Sequence, residues 1–164
     1  MAKLLYKIVL MMFILNTMNS CSNELNEDEN LESKITEYTY NTCELETMQL
    51  INDYRISIGL NPLEVINHIS FKSGEHNTYM IENNVVNHNN FTSRSQNIIQ
   101  VLNASKVSEN IGYNYKTAQG VLDAWLRSPE HKKNIEGDFT NFGISIRENT
   151  ITGKKYYTNI FAKI

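Results

Sequence analysis

Apolar residues recur every three or four positions after residue 42, a spacing that predicts amphipathic helices. The first such stripe predicts a helix from about residue 43 to 58, ending at Gly59. A turn at Asn61-Pro62 separates it from a second helix, predicted for about residues 63 to 83. His76 falls on the apolar stripe of this second helix, so its side chain is expected to be buried. His68 falls on the polar side of the same helix and is expected at the surface.

Three further helices are predicted beyond the polar loop at residues 87–90. Residues 93–104 form the least regular of them. Thr117 can cap a helix whose apolar stripe includes Trp125 and which ends near Arg127. The chain then restarts as a helix, since Ser can cap it and Pro suits its first position, in the segment Ser128-Pro129-Glu130-His131. A helix N-terminus disfavours positive charge, so His131 is expected to stay neutral, the form that binds metal or accepts a proton.

The hydrophobic period changes from about three and a half to two near the end of the chain. Phe142, Ile144 and Ile146 alternate with polar or small residues. A polar turn then leads to a second run, residues 156–162, so the two runs predict an antiparallel hairpin. Helices followed by paired strands predict an α+β fold, with helices packed on a small antiparallel sheet.

The first twenty residues predict an exported protein. Lys3 and Lys7 flank the start of an apolar run at residues 8–15, and no acid precedes Glu24, a pattern typical of a secretory signal covering residues 1–20. This run is too short to cross a bilayer as a helix. It ends at Ser20-Cys21, which resembles a bacterial lipoprotein cleavage box, although Met18 and Asn19 depart from the usual pattern. The sequence therefore predicts a lipid on Cys21 that holds the protein at a membrane surface of the cell envelope, with ordinary cleavage and secretion as the alternative.

Composition separates an acidic tether, residues 21–42, from one domain, residues 43–164. The chain has a net charge of −3, and removing the signal takes away two lysines and no acid. Because no basic cluster is present, nucleic acid is not an expected partner. If Cys21 carries no lipid, a disulfide between Cys21 and Cys43 becomes possible in an oxidising compartment.

Four polar residues, far apart in the chain, are the candidates for chemistry. They are His76, His88, Glu109 and His131. Their spacing matches no local metal motif, since the chain has neither an HExxH segment nor a Cys-x-x-Cys pair. A histidine on a buried stripe is more often a hydrogen-bonded structural residue than a ligand, so spacing alone does not define a site.

Two segments, however, resemble signatures of the CAP superfamily, the cysteine-rich secretory, antigen 5 and pathogenesis-related proteins, whose domain is also called SCP. One is Glu109-Asn110-Ile111-Gly112-Tyr113, and the other runs from Ala124 to Ile135 with Trp, Ser-Pro, His and Asn-Ile in register. Glu130 stands where the family commonly has Gly. With upstream matches around Asp53-Tyr54-Arg55, the resemblance covers roughly residues 45 to 164.

This resemblance implies an α-β-α sandwich with a cleft lined by two histidines and two acids. Several family members bind a divalent metal there, often zinc, through the two histidines. By motif position His76 and His131 would be the metal ligands, and Glu109 matches one acid. The position of the second acid falls near His88, which could add a third nitrogen ligand or donate a hydrogen bond.

The sequence favours a non-catalytic binding module that holds a glycan, lipid or protein in this cleft, with or without a divalent cation. No serine lies in an elbow motif, and Cys43 is far in sequence from every histidine. The alternative is a metal-assisted hydrolase of envelope or extracellular substrates, with Glu109 as the general base. A nuclease, suggested by His88-Asn89-Asn90, is a distant third because the chain is acidic.

Overall fold

The structure, a computed structural model, describes residues 37–164. The predicted signal segment, the lipidation site Cys21 and most of the acidic tether lie outside the described residues. Within them, helices and strands follow in this order: α1 (Thr42–Ser57), β1 (Glu64–Val65), α2 (Asn67–Glu82), α3 (Phe91–Leu102), β2 (Lys106–Tyr113), α4 (Ala118–Arg127), α5 (Pro129–Ile135), β3 (Asn141–Glu148) and β4 (Lys155–Lys163). None of the helices in this part of the chain is long and apolar enough to cross a membrane.

A four-stranded sheet with the order β1-β3-β4-β2 forms the middle of the domain. The predicted hairpin is confirmed as β3 and β4, which pair antiparallel. Strand β2 pairs antiparallel with the other side of β4, whereas β1 runs parallel to β3. The sheet is therefore mixed and not purely antiparallel as predicted, because β1 adds a parallel edge. The sequence predicted neither the two-residue β1 nor β2.

Helices cover both faces of this sheet, so the predicted α-β-α sandwich is confirmed. Helices α1, α4 and α5 cover one face, where Trp125 and Ile51 pack on Phe142, Tyr157 and Phe161. Helices α2 and α3 cover the other face in two smaller apolar clusters, whose buried members are Ile69, Met80, Ile98, Ala104, Ile111, Tyr156, Ile160 and Ala162.

Helix α2 lies unusually close to the sheet. An added Cβ at Gly143 would lie 2.7 Å from the Ser70 hydroxyl oxygen and would also meet the Ser70 backbone, so only glycine fits there. The Asn77 side chain donates to the Ser145 carbonyl at 2.7 Å and accepts from the Thr158 hydroxyl at 2.7 Å. These contacts fix the rotation of α2 and therefore the direction of His76, one residue earlier.

Helix boundaries differ from the predicted ones where tertiary contacts take over. Helix α2 begins at Asn67 rather than near residue 63, since Glu64 and Val65 pair with β3. Helix α3 begins two positions earlier than expected, after Asn90 in the left-handed conformation. The predicted cap is confirmed at Thr117, whose hydroxyl accepts the Gly120 N–H at 3.0 Å.

The segment before α1 is packed against the domain. The Tyr38 hydroxyl donates to Glu44 at 2.7 Å and lies 2.9 Å from the Ser145 hydroxyl, and the Tyr40 hydroxyl lies 2.8 Å from that of Ser70. The Glu44 carboxylate is buried and also accepts the Ile146 N–H at 2.7 Å. The boundary expected between tether and domain, after residue 42, therefore falls inside a packed segment.

Candidate functional site

The candidate site lies along the outer edge of β2, the edge that faces away from β4. Two carbonyls on this edge, those of Glu109 and Ile111, are bonded by side chains instead of another strand. Asn134 of α5 donates to the Glu109 carbonyl at 3.2 Å, and Trp125 of α4 donates to the Ile111 carbonyl at 2.8 Å. Because unpaired strand edges invite association, these side chains protect the edge while bringing α5 against β2.

The carboxylate of Glu109 is the most tightly held polar group at this edge. It points toward α3, and only 1 % of its side chain is exposed. Arg94 donates to it through two nitrogens. Nη2 lies 3.0 Å from Oε1 and 2.9 Å from Oε2, and Nε lies 3.1 Å from Oε2. This bidentate geometry is the strong form of an Arg–carboxylate pair.

Arg94 is a site residue that was not predicted from the sequence. It is one of only two buried residues that the structure shows on α3, the other being Ile98 one turn later. An arginine on the apolar stripe of a helix needs an anionic partner, because a buried charge is costly when unpaired. The four-residue spacing between Arg94 and Ile98 was the signal in the sequence that Arg94 is buried. This spacing does not identify Glu109 as its partner.

His88 is the exposed member of the cluster. Its Nδ1 lies 2.9 Å from Glu109 Oε1, and since a carboxylate only accepts, Nδ1 carries the proton. Hydrogen-bond donation, one of the two roles that the sequence left open, is thus present through Nδ1 and leaves Nε2 available. In the neutral ring, Nε2 is then unprotonated and carries a free lone pair. This nitrogen belongs to a side chain that is 52 % exposed. The Glu109 carboxylate, hydrogen-bonded to one ring nitrogen, orients the imidazole, as carboxylates commonly do for histidines that bind metals.

His76 is buried, as its position on the stripe predicted, and it holds the loop that carries His88. Its Nε2 donates to the Asn87 carbonyl at 2.7 Å, while Nδ1 is buried with no partner among residues 37–164. The ring stacks on Tyr79 with centroids 5.8 Å apart. Burial lowers the pKa of His76, and the Arg94 cation lowers it further, so the ring is neutral at pH 7.

His131 approaches from the opposite side of β2. It lies in the first turn of α5, half-buried, and its carbonyl accepts from the Asn110 side chain at 3.0 Å. Burial lowers the pKa of His131, and so does the charge of His88 when that ring is protonated. The neutral state expected from the sequence agrees with this shift, and His88 is near enough for its charge to act on His131.

His68 is not at the surface, so that prediction was wrong. Only 3 % of the residue is exposed, and its Nε2 lies 2.8 Å from the Asn97 side-chain oxygen. The polar side of α2 faces α3 instead of solvent. His68 therefore links helices α2 and α3.

The two lowered histidine pKa values predict a loss of stability in mild acid. The unfolded chain protonates its histidines near the ordinary value of 6.5, whereas the folded protein binds protons at His76 and His131 only at lower pH. Their contribution to stability is therefore complete above about pH 6.5 and is lost as the pH falls through the folded pKa values.

Urea unfolding at about pH 7.5 and about pH 5.5 measures this effect, since most carboxylates remain ionised at both. We expect a lower free energy of unfolding at the acid pH, and a smaller difference in His76→Gln. Equal free energies at the two values would contradict the neutral assignment.

No group of three or more His, Cys, Asp or Glu side chains among residues 37–164 could together hold a metal ion. His76 has its Nε2 committed to a carbonyl, and its ring belongs to the wall of a small cavity of about 160 Å³ that also contains Arg94. A metal beside that guanidinium would be repelled. His88 Nε2 and the ring of His131 are the remaining imidazole groups, and two imidazoles with water form an open, incomplete coordination shell.

An α-β-α sandwich with histidines and a buried acid at one sheet edge defines the class of domain, and comparison with known proteins identifies the family. The family model "CAP: Cysteine-rich secretory protein family" matches residues 48–161, so the chain belongs to the CAP family.

Similar proteins include the uncharacterized membrane protein YlbC of Bacillus subtilis, 29 % identical over 126 residues, which are 74 % of this chain and 35 % of YlbC. The chain thus matches only about a third of that relative's length.

Solved structures show the same fold. An outer surface protein from Borrelia burgdorferi aligns with a TM-score of 0.64 and 19 % identity, over 78 % of this chain and 98 % of its own. An extracellular SCP-domain protein from Bacillus anthracis aligns with a TM-score of 0.64 and 22 % identity, over 74 % of this chain and 40 % of its own. A cysteine-rich secretory protein from Staphylococcus aureus aligns with a TM-score of 0.59 and 15 % identity, over 74 % of this chain and 38 % of its own.

Proposed function

We propose that this protein is a non-catalytic binding module that holds an extracellular ligand at the His88–His131 cleft. The observation that supports this most directly is the state of Glu109, the candidate general base. Its carboxylate is buried, paired with Arg94 through two nitrogens, and bonded to His88. These contacts orient the imidazole that faces solvent.

The same contacts weigh against a metal-assisted hydrolase. A general base must reach the water it activates and must accept its proton at the working pH. Taking a proton would weaken the ion pair with Arg94, a buried cation that has no second carboxylate among its described contacts. Hydrolysis therefore remains the alternative only if the cleft rearranges on binding.

A divalent cation, zinc being the natural probe, would be held by His88 Nε2 and His131, with Glu109 orienting the first ring. This assignment replaces His76 by His88, since Nε2 of His76 is occupied by the Asn87 carbonyl. When bound, such an ion would supply a Lewis acid with open positions for a carboxylate, phosphate or glycan oxygen. Two protein nitrogens predict modest affinity.

An exported location fits this function. The N-terminal pattern of the sequence is typical of a secretory signal and of a lipid anchor at Cys21. The relatives described as an outer surface protein and an extracellular protein are similar in fold and are named for those locations. We propose that the domain lies at the outside of the cell membrane, where glycan, lipid or protein partners are present, and that nucleic acid is not among them.

Zinc titration by calorimetry, with four variants, tests the ligand assignment. We expect saturable binding in the native protein and at least about tenfold weaker binding in His88→Ala and in His131→Ala, because each removes one of two nitrogens. His76→Gln should retain zinc binding. Lys133→Ala, an exposed change on the same helix as His131, serves as the control.

Loss of binding in His76→Gln together with retention in His88→Ala would restore the pairing that the family resemblance implies. Turnover of any peptide, ester or wall fragment that disappears in Glu109→Gln would instead establish the hydrolase.

A further inference from the structure

A large hollow in the described part of the chain is lined by residues outside the histidine cleft. It measures about 680 Å³, within the range of small-molecule sites, and shares no residue with the cleft. The end of α1, the turn after α5, and the ends of β1, β3 and β4 enclose it. Its wall combines polar groups with an apolar part that includes Leu60, Ile66 and Phe139.

Arg55 forms a buried positive wall of this hollow. Only 2 % of the residue is exposed. Its Nε donates to the Asn61 carbonyl at 2.9 Å, and its Nη1 donates to the carbonyls of Ile135 and Gly137 at 2.6 and 3.0 Å. Nη2 has no hydrogen-bond acceptor among residues 37–164. No carboxylate in that range lies within ion-pair distance of the guanidinium, although the charge of Asp138 acts on it from farther away. A buried guanidinium nitrogen that lacks an acceptor favours an added acceptor, and a carboxylate forms the strongest hydrogen bond with it.

Three acids also line the hollow, but two of them are already engaged. Asp138 accepts from Lys163 at 2.6 Å, and Glu136 accepts from the Tyr54 hydroxyl at 2.6 Å. Glu64, at the exposed start of β1, has no side-chain partner within the described part of the chain. One donor, Nη2 of Arg55, and one carboxylate, that of Glu64, thus have no hydrogen-bonded partner in the described part of the chain, and both residues line the same space.

From this pairing we infer a second binding site, one that takes a short peptide with a free amino group and a free carboxylate. Nη2 of Arg55 receives the carboxylate, Glu64 receives the ammonium group, and the apolar wall receives an aliphatic side chain. The charges of the ligand are complementary to both unpaired groups, whereas a simple anion would leave Glu64 unpaired and would be repelled by it. The inference is independent of the function proposed for the cleft.

A ¹⁵N–¹H NMR titration with the dipeptide Leu-Leu tests this site. We expect saturable shifts at Glu64, Gly137 and Asn141, with His88 and His131 unchanged. The N-acetylated and the C-amidated dipeptides should each bind about tenfold more weakly, because each loses one charge-assisted contact. Free leucine, run in parallel, separates recognition of a peptide from recognition of a single amino acid.

Two variants assign the contacts. Glu64→Gln, at an exposed position, should fold normally and should bind Leu-Leu about tenfold more weakly, so that it no longer prefers it over the N-acetylated form. Arg55→Lys keeps the charge but loses the second donor and should remove the preference for a free carboxylate. If Arg55→Lys fails to fold, Glu64→Gln still decides the matter.

Equal binding of the blocked and free dipeptides, no effect of Glu64→Gln, or no shift at millimolar peptide would each overturn the proposal. His131→Ala is the matched check on independence: it should weaken zinc binding at the cleft at least about tenfold and leave Leu-Leu binding intact. Failure of either site is therefore distinguishable from failure of the other.

Discussion

Glu109→Gln is expected to lower the free energy of unfolding by about 3–5 kcal/mol, the usual cost of removing one partner from a buried ion pair. The side chains of Glu109 and Arg94 are 1 % and 9 % exposed, so water cannot compensate the guanidinium that remains. The amide has one acceptor oxygen instead of two, so it cannot keep all of the contacts that Glu109 makes with Arg94 and His88. Chemical denaturation near neutral pH measures the change.

Two further variants separate the effect of the buried ion pair from the effect of losing any carboxylate. Glu75→Gln removes the carboxylate from a solvent-exposed pair with Lys72 and should cost less than about 1 kcal/mol. The double variant Arg94→Met with Glu109→Gln removes the stranded charge, so it should be more stable than Glu109→Gln alone. A single Glu109→Gln variant as stable as the native protein would mean that the pair does not form.

Trp125→Ala is expected to cost about 3–5 kcal/mol, the range for a large aromatic residue removed from a core. The ring is buried between α4 and the sheet, and its Nε1–H bonds the Ile111 carbonyl on the outer edge of β2. Because that edge would also lose its cover, the variant should associate at high concentration more readily than the native protein.

Trp125→Phe is the matched control, since it keeps most of the apolar contact but removes the N–H. It should cost about 1–3 kcal/mol, the penalty for a buried carbonyl left without a donor. Thermal unfolding gives the stability, and light scattering at increasing concentration gives the association. If Trp125→Phe and Trp125→Ala were equally unstable, the hydrogen bond rather than the packing would dominate.

Continuous stripes of apolar residues explain which elements the sequence could predict. The helices around Trp125 and Ile51 and the hairpin of β3 and β4 each bury a regular face, so their periods were visible. Strand β1 has two residues, too few for any period. Strand β2 alternates correctly, with Val107 and Ile111 on one face, but Glu109 occupies the inward position between them, and a buried acid is compatible with a strand only once Arg94 is known.

The site residues, too, could be predicted only where a local pattern or a motif marked them. His76 was placed correctly because its stripe is local, and Glu109 and His131 were located by motif. His68 was misplaced because α2 is covered on two sides, by the sheet and by α3, so its polar side is buried as well. The periodicity within one helix predicts which face is apolar, but it does not predict whether a distant segment will cover the polar face as well.

The two imidazoles at the outer edge of β2 belong to different layers of the sandwich, His88 to the loop before α3 and His131 to α5. A molecule that contacts both rings would therefore link the two layers, and the domain could not unfold without releasing it. At a concentration about one hundred times its dissociation constant, such a ligand adds about 2.7 kcal/mol of stability. A melting temperature that rises during a screen of envelope extracts would thus reveal the natural ligand without any assumption about a reaction.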